Sequence, residues 1–300
     1  MHALWMVLAS LLFASMGVCV KFASAHFNSA ELVFWRGLIG MLFIWGIARS
    51  RGVALATAYP GMHAWRSLVG VFALGTWFYA LAKLPLATAM TLNYMSSIWI
   101  AAFVVGGAML AWRPRRGGPV TPPAQGLLVL TVLTGFAGVV LMLRPTVGAG
   151  NAFAGMVGLL SGLSTAFAYL QVVALARLGE PESRVVFYFA VGSAVAGGVG
   201  MWFVGASPLV WPTALWLLPV GLFAALGQLC MTRAYSRGAT LVVANLQYSG
   251  IVFAAIFSVV LFGDKITPLG WIGMALIVAS GLVATVLRQR APVAPRIDPR

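Results

Sequence analysis

The chain has 300 residues, of which 61% are hydrophobic and 8% are charged, and its mean hydropathy is +0.98. About a quarter of the residues of an ordinary soluble domain are charged, and a globule of this size cannot hide so much apolar surface from water. The composition therefore excludes a cytosolic enzyme, a disulfide scaffold and a disordered chain. The net charge of +14 comes without a basic face or an RNA-binding motif, so we expect no nucleic-acid partner.

Ten segments are long and apolar enough to cross a bilayer as helices, which takes about 20 residues each. In chain order they are residues 3–22, 30–48, 64–82, 86–111, 126–143, 152–175, 185–205, 213–234, 239–262 and 269–287. The breaks between them contain turn-forming residues, for example Gly179-Glu180-Pro181. The segments lack the alternation of strands, so the sequence predicts an all-α polytopic membrane protein with ten transmembrane helices.

The basic residues are distributed unevenly over the predicted loops. With the N-terminus inside, 14 of the 19 fall on cytoplasmic loops and the C-terminal tail, and 4 fall at the outer ends. Arg66 is assigned to the cytoplasmic group, and Arg36 lies inside a span. Because cytoplasmic loops carry an excess of Lys and Arg, the sequence predicts that both termini are cytoplasmic.

The two halves of the chain have a similar layout. An offset of 153 residues pairs Pro85 with Gly238 and Ser96 with Ser249. Each half holds five predicted helices, an odd number, so the second copy would be inserted upside down. Such inverted repeats are typical of secondary transporters, whose substrate site lies near the midplane between the halves. The predicted divisions are a first repeat at 1–147, a second repeat at 148–288 and a cytoplasmic tail at 289–300.

Arg36 lies about six residues inside the second predicted span, where a cation is costly and usually functional. One interpretation is that its guanidinium binds a substrate carboxylate in a bidentate way. The alternative is snorkelling or a pair with Glu31, although side chains five positions apart do not share a helix face. Glu31 follows Asn28 by three positions, which predicts a capping box. The alternative role for Glu31 is that of a proton-carrying carboxylate.

Uncharged polar side chains cluster at matching places on the fourth and ninth predicted spans. Asn93 and Ser97 are four residues apart and share a face, as do Asn245 and Ser249. They would form hydrogen bonds between helices or contact the substrate, and the repeat supports contact because symmetric positions should meet at the centre. The complete set of predicted substrate-binding residues is Arg36, Tyr79, Asn93, Tyr94, Ser97, Tyr169, Gln171, Gln228, Asn245, Gln247 and Tyr248.

Two stretches carry a likeness to a known family. One is Phe34-Trp35-Arg36-Gly37, with Tyr79-Ala80-Leu81 through Ser96-Ser97 further on. The other is Leu261-Phe262-Gly263-Asp264-Lys265, followed by Gly270, Gly273 and Gly281. Together with the ten spans, they resemble the EamA-type transporters of the drug/metabolite transporter superfamily over residues 3–287. The resemblance implies a bacterial-type inner-membrane carrier that moves small metabolites, often outward, with helices 1–4 and 6–9 lining the cavity. One departure is Ser96-Ser97, where the family usually has Ser-Pro.

The expected function is therefore a secondary transporter that exports a small amphipathic metabolite, such as an amino acid, by alternating access. Its expected partners are the lipid bilayer and this substrate, without a cofactor or metal, and its expected state is a monomer or homodimer. A polytopic membrane enzyme or a channel is the alternative. The sequence has no Gly-x-Ser-x-Gly and no His-Glu-x-x-His for an enzyme, and no filter loop for a channel.

Overall fold

The helices of the computed structural model match much of the predicted layout. The structure describes residues 4–100, 102–103, 151–238, 243 and 246–289, and positions 130, 133–135, 137–138 and 141. All regular elements within these residues are helical. The helices are α1 Trp5–Ala23, α2 Ser29–Ser50, α3 Pro60–Lys83, α4 Leu86–Tyr94, α5 Ala152–Arg177, α6 Glu182–Val204, α7 Leu217–Arg237, α8 Ser249–Phe262 and α9 Pro268–Gln289. Most of the predicted fifth span lies outside the described residues.

Within the described residues, five helical segments are long and apolar enough to cross a membrane. They are Trp5–Ala23, Ser29–Ser50, Ala152–Arg177, Glu182–Val204 and Thr213–Arg237, and the last begins with a short 3₁₀ turn. Large apolar side chains face outward, among them Trp202, which is 87% exposed, and Phe203, which is 81% exposed. Such a surface suits a surrounding of lipid rather than water. The chain is a multi-pass membrane protein.

The start of α2 has the capping box that the sequence predicts. The side chain of Asn28 accepts a hydrogen bond from the Glu31 N–H at 3.0 Å, and the Glu31 carboxylate accepts one from the Asn28 N–H at 2.7 Å. The same carboxylate accepts bonds from the N–H and hydroxyl of Ser207, at 2.6 and 2.9 Å. Glu31 therefore satisfies the helix start and joins it to the segment after α6.

The most extensive helix contacts join the N-terminal and C-terminal parts of the chain. They pair α2 with α6, α3 with α5 and α1 with α7, and α4 contacts α8. Glycines allow the backbones of α2 and α6 to touch. A methyl group on Gly37 would collide with the backbone nitrogen of Ala194, and one on Gly197 would collide with that of Phe34. Small residues at such crossings permit this approach.

The predicted fourth and ninth spans are each interrupted, where the sequence suggested continuous helices. After α4 the chain turns at Met95, whose carbonyl accepts bonds from the N–H groups of Ile98 and Trp99, and helix resumes at residue 96. Before α8 the chain turns at Gln247 and Tyr248. Both turns contain bonds between residues three apart, which tighten the helix and end it locally. The sequence offset of 153 residues brings the two interruptions into register.

Candidate substrate site

A small cavity lies among helices α1 to α7, with a volume of about 50 Å³. Its polar lining comprises Arg36, Arg66, Trp77, Asn93, Tyr94, Thr165, Tyr169 and Gln228. Apolar side chains, including Phe13, Met16 and Leu74, complete the wall. A space of this size holds a few water molecules. The helices therefore surround a volume smaller than a typical metabolite pocket.

Arg36 reaches this cavity from α2 and is 4% exposed. Its guanidinium carbon lies 5.0 Å from the centre of the Phe189 ring on α6, and its Nη1 donates a long hydrogen bond of 3.4 Å to the hydroxyl of Ser193. Its buried Nε has no hydrogen-bond partner among the described residues. Glu31 does not pair with Arg36, because its carboxylate is bound at the start of α2.

From the sequence, Arg66 is counted among the charges of the cytoplasmic loops and tail, but the structure does not place this residue on a loop. The residue lies in α3, is 2% exposed and lines the cavity. Its guanidinium carbon lies 4.1 Å from the centre of the same Phe189 ring. Its Nε and Nη1 are buried, and the described part of the chain offers them no hydrogen-bond partner. Its position two residues inside the predicted third span was the signal that sequence reasoning missed.

The positive charges of Arg36 and Arg66 in the cavity have no negatively charged partner among the described residues. None of the ion pairs within the described part of the chain includes either residue. A cation–π contact contributes about 0.5–2 kcal/mol, whereas an unpaired buried charge costs several kcal/mol. Phe189 therefore offsets only part of the cost of burying both guanidinium groups. An anion that enters the cavity would satisfy them.

Asn93 is one of five predicted residues that line the cavity; the others are Arg36, Tyr94, Tyr169 and Gln228. The Asn93 amide Nδ2 donates to the hydroxyls of Ser161 and Thr165 on α5, at 3.3 and 3.0 Å. These bonds hold the Asn93 side chain at the contact between α4 and α5.

Gln247 is the centre of a buried network next to the cavity and is fully buried itself. Its Nε2 donates to the hydroxyls of Ser96 and Tyr169, each at 3.4 Å, and its Oε1 accepts from Tyr235 at 3.4 Å and from Ser97 at 3.5 Å. The network joins the turn after α4 to the turn before α8. Tyr169 belongs both to this network and to the cavity wall, and sequence reasoning overlooked Tyr235.

Other predicted residues do not line the cavity. Tyr79 faces a separate open groove and packs edge-on against Phe153, with ring centres 5.9 Å apart. Side chains two positions apart on an α-helix point about 200° apart. Tyr79 therefore faces away from the side of α3 that carries Trp77. In the same way, Gln171 faces away from the side of α5 that carries Tyr169. Predicted residues without a place in the cavity lining are Tyr79, Ser97, Gln171, Gln247 and Tyr248. Asn245 lies outside the described residues.

A polar cluster closes the end of the bundle where α3 and α6 begin. Glu180, in the turn between α5 and α6, accepts hydrogen bonds from Thr57 at 2.9 Å and from Arg184 at 3.2 Å, and its Oε2 lies 3.2 Å from the His63 Nε2. Burial opposes ionisation of Glu180, but its bonds from Thr57 and His63 and the charge of Arg184 lower its pKa below the usual value. His63 precedes the predicted third span, and burial lowers its pKa although Glu180 acts in the opposite sense.

Multi-pass helices around a small internal cavity, with buried cations that lack an ion-pair partner among the described residues, are typical of solute transporters. The chain matches the EamA-like transporter family over residues 1–106 and 152–286, and it belongs to that family. It is 35% identical to the pseudopaline exporter CntI of Pseudomonas aeruginosa over 253 residues, which cover 83% of each chain. It is 27% identical to a riboflavin transporter of Rhizobium johnstonii over 93% of this chain and 89% of that one.

A solved crystal structure has a similar fold. It aligns with 95% of this chain and 98% of its own, with a TM-score of 0.66 and 23% sequence identity. The likeness extends over almost the whole of both chains and concerns the fold alone.

Proposed function

We propose that the protein is a secondary transporter of a bacterial-type inner membrane that exports a small metabolite with an acidic group. The observation that carries this proposal is the small cavity lined by the buried guanidinium of Arg36, which has no ion-pair partner among the described residues. The names of the relatives support it, since one is an exporter and another a riboflavin transporter. In this proposal Arg36 orients the acidic group, and Asn93, Tyr169 and Gln228 contact polar edges of the substrate.

Two inverted five-helix repeats, at 1–147 and 148–288, would explain the pattern of helix contacts. If α1 to α4 correspond to α5 to α8, exchanging the halves turns the contact of α1 with α7 into that of α5 with α3. The contacts of α2 with α6 and of α4 with α8 are unchanged by the exchange. Ten membrane crossings with both termini in the cytoplasm complete the proposed topology.

Alternating access would then proceed by movement of the halves around the cavity. The cavity of about 50 Å³ is too small for a metabolite, so binding requires the bundle to open. The interruptions at Met95 and at Gln247-Tyr248 are the proposed hinges, because their backbone is already locally turned. Breaking and reforming the bonds of Gln247 with Ser97 and Tyr169 would couple the two hinges.

The remaining predicted residues receive narrower roles in this proposal. We assign Glu31 to capping rather than to proton transfer, since both carboxylate oxygens accept hydrogen bonds at the start of α2. Tyr248, Asn245 and Gln171 stay candidates for substrate contact once the bundle opens. Tyr79 would enter the pathway only if α3 rotates away from Phe153.

Transport can be tested before the substrate is identified. We would compare, by mass spectrometry, the medium of cells that express the wild type, Arg36→Ala or Arg237→Ala. Arg237 is a matched control because it is half exposed and pairs with Glu182 at 3.1 Å. We expect a metabolite to accumulate in the medium with the wild type and with Arg237→Ala, and not with Arg36→Ala.

A membrane enzyme and a channel are the alternative functions, and purified protein in liposomes separates them from a carrier. Saturable flux of the exported metabolite indicates a carrier, conductance a channel, and chemical conversion an enzyme. Wild-type export by Arg36→Ala at equal membrane expression would remove the role assigned to Arg36. A medium of wild-type-expressing cells that is identical to that of cells without the protein would contradict the proposed function.

A further inference from the structure

We infer that the substrate carries two acidic groups, which Arg36 and Arg66 bind together. This inference rests on the proposed function and specifies the substrate class of that same site. Its basis is the number of positive charges that meet at Phe189: two guanidinium groups, from α2 and α3, contact this one ring. Both side chains are at least nine-tenths buried, and both line the cavity.

The described residues hold no acidic side chain that is available to neutralise these arginines. The sequence contains 5 acidic residues in total. Glu31 is bound at the start of α2, Glu180 pairs with Arg184, and Glu182 pairs with Arg237. Asp264 accepts a hydrogen bond of 2.6 Å from Ser258, and the fifth residue, Asp298, is third from the C-terminus. The substrate is therefore the source of negative charge that we infer for the site.

Each of the two guanidinium groups has at least one buried N–H donor without a hydrogen-bond acceptor among the described residues. Within the described part of the chain, the Arg36 Nε and the Arg66 Nε and Nη1 have no acceptor. A single carboxylate could accept bonds from both arginines, but it would leave one buried positive charge uncompensated in the cavity. Two acidic groups neutralise both cations and give each planar guanidinium a partner that matches its geometry. Charge balance therefore favours a substrate with two acidic groups.

Binding of matched organic acids tests this inference independently of transport. The purified full-length protein in detergent would be titrated at pH 7.5 with succinate, glutarate and adipate, and with the monoacid of equal carbon number in each case. Thermal unfolding and calorimetry report the affinity. We expect at least one diacid to bind at least tenfold more tightly than its monoacid.

Variants assign the preference to the two arginines. Arg36→Gln and Arg66→Gln should each reduce the diacid-to-monoacid affinity ratio to near one, whereas Arg237→Gln should keep the wild-type ratio. If each variant folds and still prefers the diacid, the paired role of the arginines is overturned.

Three further outcomes are decisive. If no diacid of the series binds better than its monoacid, the inference of two acidic groups is wrong. Equal binding of sulfate and of the best diacid would also overturn it, because the site would then be one for an inorganic anion. A diacid preference without any export by cells would support the inference and contradict the proposed transport.

Discussion

The guanidinium of Arg66 occupies the space that a side chain on Gly70 would need. Arg66 lies one turn before Gly70 on α3, and a Cβ at Gly70 would collide with the Arg66 Nη1 and lie 3.2 Å from its Cζ. The glycine therefore lets the arginine lie along its own helix and reach the Phe189 ring. The absence of a side chain at Gly70 therefore helps to place the positive charge of Arg66 in the cavity.

Replacement of Gly70 tests this relationship. In Gly70→Ala the new methyl group would push away the flexible end of Arg66, and it would also come within 2.7 Å of the Phe189 Cε2. We expect a folded protein whose diacid affinity, measured by calorimetry, falls about tenfold, as for the loss of one interaction of about 1.4 kcal/mol. Gly75→Ala is the control on the same helix, because a Cβ there meets nothing within 4 Å. Unchanged affinity in Gly70→Ala would contradict the role of this glycine.

Removal of a buried unpaired charge should stabilise the protein. Arg66→Met keeps most of the side-chain volume and removes a guanidinium whose Nε and Nη1 have no partner among the described residues. Without substrate, we expect the free energy of unfolding to increase by about 1–4 kcal/mol, which raises the midpoint of thermal unfolding. We also expect diacid binding to be lost. A lower midpoint would mean that the fold itself compensates the charge of Arg66.

Close packing of α2 against α6 should make Gly37 sensitive to substitution. A methyl group there would collide with backbone atoms of Ala194 and Ala190, which cannot move without shifting α6. We expect Gly37→Ala to lower the free energy of unfolding by about 1–3 kcal/mol. Gly46→Ala, also on α2, should be neutral or stabilising, because its Cβ would have open space. Equal unfolding midpoints for the two variants would contradict the described helix contact.

The cluster of Glu180 and His63 predicts lower stability in acid. The pKa of His63 is lowered from 6.5 in the folded state, so the unfolded chain binds the proton more readily, and stability is lost as the pH falls below 6.5. The pKa of Glu180 is lowered from 4.5, so its contribution is present above pH 4.5 and is lost below it. Thermal unfolding midpoints should therefore stay level between pH 7.5 and pH 6.5, decline as the pH falls below 6.5, and decline further below pH 4.5.

Substitution of Glu180 isolates this cluster from other titrating groups. At pH 7.5 Glu180→Gln leaves the buried His63 and the partly buried Arg184 without their anionic partner. We expect a loss of about 1–3 kcal/mol in the free energy of unfolding. The control Glu182→Gln removes an exposed pair and should cost about 1 kcal/mol or less. An equal loss of unfolding free energy in both variants would show that the buried cluster of Glu180 and His63 stabilises the fold no more than the pair of Glu182 and Arg237 does.

Local patterns were sufficient for the features that depend on neighbours in the chain. Hydropathy predicted helices that cross the bilayer, because lipid leaves a backbone few other ways to satisfy its hydrogen bonds. The spacing of Asn28 and Glu31 predicted the capping box, since its two hydrogen bonds join residues three apart. Arg36 could be chosen as a candidate site residue because a cation within an apolar segment is unusual in any fold.

Tertiary structure decided which of these residues face one another. In the sequence Arg66 resembles a charge on a loop. In the structure it lies on α3 and contacts Phe189, which is more than a hundred positions away in the chain. Tyr79 and Trp77 are two residues apart, but only Trp77 lines the cavity, because the direction of a side chain matters only once the neighbouring helices are in place. The sequence by itself determined that the chain resides in a membrane and holds costly charges there. Their convergence on one cavity depends on contacts between distant segments, which no local pattern encodes.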